Sequence, residues 1–210
     1  MPCNQFPSTR RHKTWGHVTI LFALIALALA ALPTASFAGT DTAGNVLATE
    51  SDSNPSGVEG DLYWAGQSLN LDDASIDRDV IAAGDSLSIR DCTVGGAVRL
   101  AARTIDIAKT AIGGSVTVVG QHVVLNTDST ASCFYAMGET VALRGSAKSA
   151  ALAGDTVTID GTVDGDVEVW ADKLILGKNA RITGTVNAHV SEDPERAEGA
   201  QVGALKIDRT

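Results

Sequence analysis

From Asp61 onward the aliphatic residues return at fixed places when the chain is written in lines of about 18 residues. DLYWAGQSLNLDDASIDR starts at Asp61, DVIAAGDSLSIRDCTVGG at Asp79, AVRLAARTIDIAKTAIGG at Ala97 and SVTVVGQHVVLNTDSTAS at Ser115. The second slot reads Leu62, Val80, Val98, Val116, Phe134, Ala150, Val167 and Val186. The ninth runs from Leu69 and Leu87 to Leu174, and the eleventh from Leu71 and Ile89 to Leu176. Ninth and eleventh slots are two apart, so both side chains leave the same face of a strand. The sixth slot is Gly or Ala throughout, as in Gly66, Gly84, Ala102 and Gly120, which predicts a corner with positive φ.

Repetition of strand and corner predicts a stack in which each rung buries its aliphatic layer only against its neighbours. The apolar intervals from Val80 through Leu87, Ile89 and Val94 to Val98 are 7, 2, 5 and 4. A left-handed hexapeptide helix would repeat every six, so the expected fold is all-β, a right-handed parallel β-helix of about eight rungs. The middle is the least regular part: Thr130 stands where Ile or Val is expected, rung five is short, and Ala150 replaces Val. Rungs four to six are therefore expected to be the weakest segment. The aliphatic layers of the first rung (Leu62, Leu69, Leu71) and of the last (Val186, Val190, Val202, Leu205) are the candidate self-association surfaces. The charged stretch SEDPERAEGAQVG offers a rival outcome, a cap on the lower end.

The segment before the repeat is a different object. Residues 1–38 carry a basic start (Arg10, Arg11, Lys13), an apolar run from Val18 to Leu32 and a small-residue end at Ser36-Phe37-Ala38, the pattern of a secretory signal peptide. Residues 39–60 are polar and aperiodic and read as a flexible linker, leaving 61–207 as the repeat domain. Export makes the expected location extracytoplasmic, secreted or in the cell envelope, with an uncleaved anchor as the alternative. Cleavage would remove three of the sixteen basic residues and no acids, taking the formal charge from −9 to −12. Such a surface repels nucleic acid.

The lines DVIAAGDSLSI, SAALAGDTVTIDGTVDGDVEV and LILGKNARITGTV resemble the bactofilins, the polymer-forming cytoskeletal proteins. The likeness covers about residues 61–190 and rests on a repeated set: an Asp-Val start, an Ala-Gly corner, a Val-x-Ile strand and a Gly-x-Val return. It implies a right-handed β-helix that assembles end to end into filaments without nucleotide. Familiar bactofilins are cytoplasmic, so the leader is a departure from the family.

Ladders of like residues also raise chemical possibilities. Glu139, Asp155 and Asp172 fall in the seventh slot of successive rungs and are the one candidate metal set, by oxygen ligation; a solvated acidic corner is the plainer outcome. The acids lack a basic partner and the loops are too short to wall a groove, so no catalytic residue and no cofactor is expected. His122 is expected to be an outward strand residue. Trp64, Trp170 and Tyr135 are candidate glycan contacts. Cys92 and Cys133 lie three rungs apart, beyond disulfide reach, and are expected to be free thiols. The expected function is a non-enzymatic exported structural protein whose partner is itself. The alternatives are an envelope module binding cell-wall glycan or peptidoglycan and, after it, a polysaccharide-active enzyme.

Overall fold

The computed structural model describes residues 39–49 and 55–209. The expected signal peptide, residues 1–38, lies outside the described residues. Among those described there are strands and no helix. The first turn holds β1 (Gly39–Thr40), β2 (Val46–Thr49) and β3 (Gly57–Val58). The next holds β4 (Leu62–Ala65), β5 (Ser68–Asp72) and β6 (Ser75–Ile76), and this three-strand unit returns as β7 (Val80–Ala83), β8 (Ser86–Arg90) and β9 (Thr93–Val94). It returns again as β10 (Val98–Ala101), β11 (Thr104–Ala108) and β12 (Ala111–Ile112), followed by β13 (Val116–Val119) and β14 (His122–Leu125). Strands then run through the corners: β15 (Thr130–Leu143), β16 (Ser146–Ile159), β17 (Thr162–Val163), β18 (Val167–Leu176), β19 (Arg181–Val190), β20 (Glu195–Arg196) and β21 (Gln201–Arg209). All pairings but β1–β2 are parallel, giving a right-handed parallel β-helix of about nine turns. At about 4.8 Å per rung the column is roughly 40 Å long.

The apolar slots stack as the sequence periodicity requires. Leu69, Leu87, Ile105, Val123, Val141, Val157 and Leu174 are register partners from rung to rung. Leu71, Ile89, Ile107, Leu125, Leu143, Ile159 and Leu176 form the second ladder, and every member of both is buried. The Asp that opens many lines has a structural task. Asp79 N–H donates to Asp61 Oδ1 at 3.0 Å and Ala97 N–H to Asp79 Oδ1 at 2.7 Å, so each carboxylate satisfies a backbone donor one rung on.

Five sequence expectations change. The segment 39–60 is not wholly a linker: β2 pairs with β4, Val46 over Leu62, and β3 pairs with β6, so the helix starts about one turn before Asp61. Positive φ is not at the sixth slot. Apart from Gly44 in the β1–β2 turn, it falls at Asp73, Asp91, Lys109 and Asp128, and at Gly199, all at the corner before the third strand. The sixth-slot glycines answer to close stacking, since a Cβ on Gly138 would lie 2.4 Å from the Gly120 carbonyl oxygen.

Thr130 does not occupy the apolar slot. A one-residue insertion at that corner makes Thr130 the exposed partner of Ala111 and gives the inward place to the buried Ala131. Nor does the middle carry the poorest pairing. β15 and β16 are the longest strands, matched from Thr130 opposite Ser146 to Leu143 opposite Ile159. The fully buried Phe134 faces Ala150, whose small side chain makes room for the ring.

Cys92 is a free, buried thiol in a ladder of small corner residues with Ala74, Thr110 and Ser129. Its Sγ donates to the Arg90 carbonyl oxygen at 2.9 Å, and burial pushes the thiol above its ordinary pKa. The expectation of two free thiols holds for Cys92 and fails for Cys133, which is disulfide-bonded, though not to Cys92.

Candidate functional site: the two ends of the solenoid

A column of stacked rungs keeps its free backbone edges and unfinished apolar layers at its ends. At the N-terminal end β1 turns back antiparallel on β2, placing Gly39 opposite Leu47 and Thr40 opposite Val46. The Asp41 carboxylate organises the turn, accepting from the backbone N–H of Ala43 at 2.8 Å and of Asn45 at 3.0 Å. Ala48 and Val58, the inward residues of this first turn, are each only 4% exposed. Leu62, Leu69 and Leu71, expected at an open end, are buried, with Leu62 covered by Val46.

At the C-terminal end two of the four expected residues, Val202 and Leu205, lie on the last strand, and Val186 and Val190 lie one strand before it. β21 pairs with β19, so Val186 and Val190 are covered by Leu205 and Arg209 and are fully buried. Val202 and Leu205 remain half-buried at the edge, and Ile207, register partner of the inward Ala188, is 46% exposed. The stretch SEDPERAEGAQVG is not a cap folded across the end. It continues the ladder, with Glu195 and Arg196 in register with Ile175 and Leu176, and Gln201 and Val202 with Arg181 and Ile182.

Charge closes part of this end. Arg196 follows Leu176 in a column that is aliphatic higher up, and Arg209 follows Val190 at the foot of the Gly and Ala column of the sixth slot. Arg196 Nη2 donates to the Ala200 carbonyl oxygen at 2.8 Å, and Arg209 pairs with Asp193. Lys173 Nζ meets Glu195 Oε1 at 2.6 Å, a contact that holds the amine above its ordinary pKa and ties β20 to β18. What stays apolar and open is the strip Val202, Leu205 and Ile207 along β21.

Beside that strip is a polar cluster on the outer face of the last three rungs. Trp170 of β18, His189 of β19 and Asp208 of β21 occupy one outward row. The His189 ring stacks on the Trp170 indole with centroids 5.5 Å apart and planes 9° apart. Its Nε2 lies 3.1 Å from Glu168 Oε1 and its Nδ1 3.3 Å from Asp208 Oδ2. Glu168, Asn187, His189, Lys206, Ile207 and Asp208 line a shallow cleft. Neither His189 nor Ile207 stood out in the sequence, although the inward and outward alternation of ALKIDR continues the pattern above it.

The other candidate residues disperse. Trp64 is 4% exposed and points inward between Ala48 and Ala82, small partners that accommodate the indole, so it presents no ring to solvent. Tyr135 and Trp170 are half-buried in adjacent outward rows, two rungs apart, and the three aromatics share no surface. Glu139, Asp155 and Asp172 do stack at one exposed corner. Among the described residues, however, no group of three or more His, Cys, Asp and Glu is arranged to hold a metal ion. His122 is an exposed strand residue, paired in register with Thr104 and Thr140. No protein-family model, curated protein or solved structure matches this chain.

Proposed function

We propose that this chain is a non-enzymatic structural protein of the cell envelope whose solenoid associates with a second copy through its C-terminal end. The carrying observation is β21, a nine-residue strand with one edge paired to β19 and an apolar strip, Leu205 and Ile207, uncovered below. An open strand edge backed by apolar side chains favours strand addition. Antiparallel pairing of two β21 strands about Ile207 sets Lys206 against Asp208 of the second copy and Asp208 against its Lys206, so the edge is complementary to itself. Such a contact uses the same patch on both copies and closes as a pair. The covered inward residues of the N-terminal end and Arg196 at the foot of an aliphatic column disfavour continued growth. Export is supported by the leader pattern of residues 1–38, and the structural role by the bactofilin resemblance of the repeat.

Sedimentation and electron microscopy of the intact chain test this reading. Rods of doubled length that revert to single rods in Ile207→Asp support it. Persistent single rods at high concentration overturn it, and long filaments overturn the assignment to the C-terminal end alone.

A further inference from the structure

His189 sits where its charge state decides how β21 is held. Each ring nitrogen faces a carboxylate oxygen, Nε2 toward Glu168 Oε1 at 3.1 Å and Nδ1 toward Asp208 Oδ2 at 3.3 Å. A neutral imidazole has a single N–H, so one nitrogen would turn a lone pair on a carboxylate oxygen whichever tautomer formed. Only the imidazolium donates to both. The groups around the ring are unequal in sign: Glu168 from β18 and Asp208 from β21 are acidic, while Lys206 from β21 is the basic residue of the same cleft. Asn187, on the ring's own strand, donates from Nδ2 to Glu168 Oε2 at 3.1 Å and fixes that carboxylate in place. Trp170 stacks flat against the ring, a geometry that also favours a cation.

These contacts bridge three rungs, and the third is the terminal strand. Among the described residues β21 has a neighbour on one side only, and its outer end is tied by Asp208 to His189 and by Arg209 to Asp193. We propose that protonation of His189 seats β21 against β19, so that mild acid readies the C-terminal edge for a second copy and rising pH loosens it. The coupling to assembly rests on the proposed self-association; the seating of the strand does not. Both carboxylates receive an N–H from the ring only while it is charged, so the hold on the strand follows the ring's charge. Histidine side chains change charge between about pH 5 and 8.

Amide hydrogen exchange of residues 204–209 at pH 5.5 and pH 8, corrected for intrinsic rates, reads the seating. Both carboxylates are partly solvated, Asp208 the more so, and the expected gain in protection at the lower pH is about two- to fivefold. His189→Gln keeps a polar strand residue and should abolish the difference. Asp208→Asn, on the exposed final strand, should reduce it without touching the core. A wild-type difference of zero, or one that survives in His189→Gln, overturns the inference. Sedimentation at the same two pH values separates the two ideas. Association stronger at pH 5.5 supports the coupling, and association equal at both overturns it. Seating that responds to pH in a protein that stays single throughout overturns the self-association reading and leaves the strand switch standing.

Discussion

The two ends of this solenoid are finished in opposite ways. At the N-terminal end a short strand folds back on β2, an Asx-type turn at Asp41 holds it, and the inward residues Ala48 and Val58 are covered. At the C-terminal end β21 has no strand beyond it among the described residues, and Ile207 is left 46% exposed between Arg196 and Arg209. A repeat protein must stop its stack somewhere, because each aliphatic layer left open exposes apolar surface and free backbone groups. Covering hides the inward residues of the first turn, while Leu47 on the outer face of β2 stays 48% exposed. Charged columns around a small apolar strip leave enough for a specific contact and too little for unlimited strand addition.

The largest test of this contrast compares equal truncations at the two ends. Leu62→Ala, beneath the covered end, should cost about 2–5 kcal/mol in urea denaturation. Leu205→Ala, at the half-buried edge, should cost under about 1 kcal/mol, and equal costs would break the comparison. A corner substitution comes next. Gly199 near the open end has φ +102°, so Gly199→Ala should cost about 1–2 kcal/mol, whereas Asp73→Gly at the same corner near the covered end should be neutral or gain up to about 1 kcal/mol.

Smaller still is the response to acid. The Ala97 N–H, ahead of the Arg99 guanidinium, holds the Asp79 carboxyl below its usual range. Its folded pKa is depressed, so its contribution is present above the unfolded carboxyl pKa of about 3.9 and is lost as pH falls. Asp79→Ala should cost about 1 kcal/mol at neutral pH and less once Asp79 is protonated, as read by thermal denaturation across pH. This end thus weakens in acid, opposite to the response proposed at His189. Smallest is Ile207→Asp, expected to change stability by less than about 0.5 kcal/mol while removing association.

Much of the fold was legible in the sequence because a parallel β-helix writes its contacts as a period. Leu69 over Leu87 and Leu71 over Ile89 follow from the 18-residue line alone. Trp64 was legible too and was misread. Slot four is two residues after the inward slot two, and its other occupants Ala82, Leu100, Val118, Ala136, Leu152, Val169 and Ala188 are buried. The early turn at Val46–Thr49 was hidden because four strand residues in a polar stretch carry no period of their own. Thr130 was misplaced because an extra residue between Leu125 and Asp128 shifts one corner without changing the strands on either side.

The sequence by itself determined the handed, layered architecture and the rung-to-rung register, since side-chain alternation and equal line length leave one way to bury each aliphatic row. It could not determine the ends, where the period stops and nothing repeats. Only the tertiary structure showed that β1 and β2 cover the first rung and that Ile207 lies open. It also showed that Trp170, His189, Glu168 and Asp208 meet across three rungs. Those contacts join residues roughly one turn or more apart, and their distances depend on where each corner inserts or omits a residue.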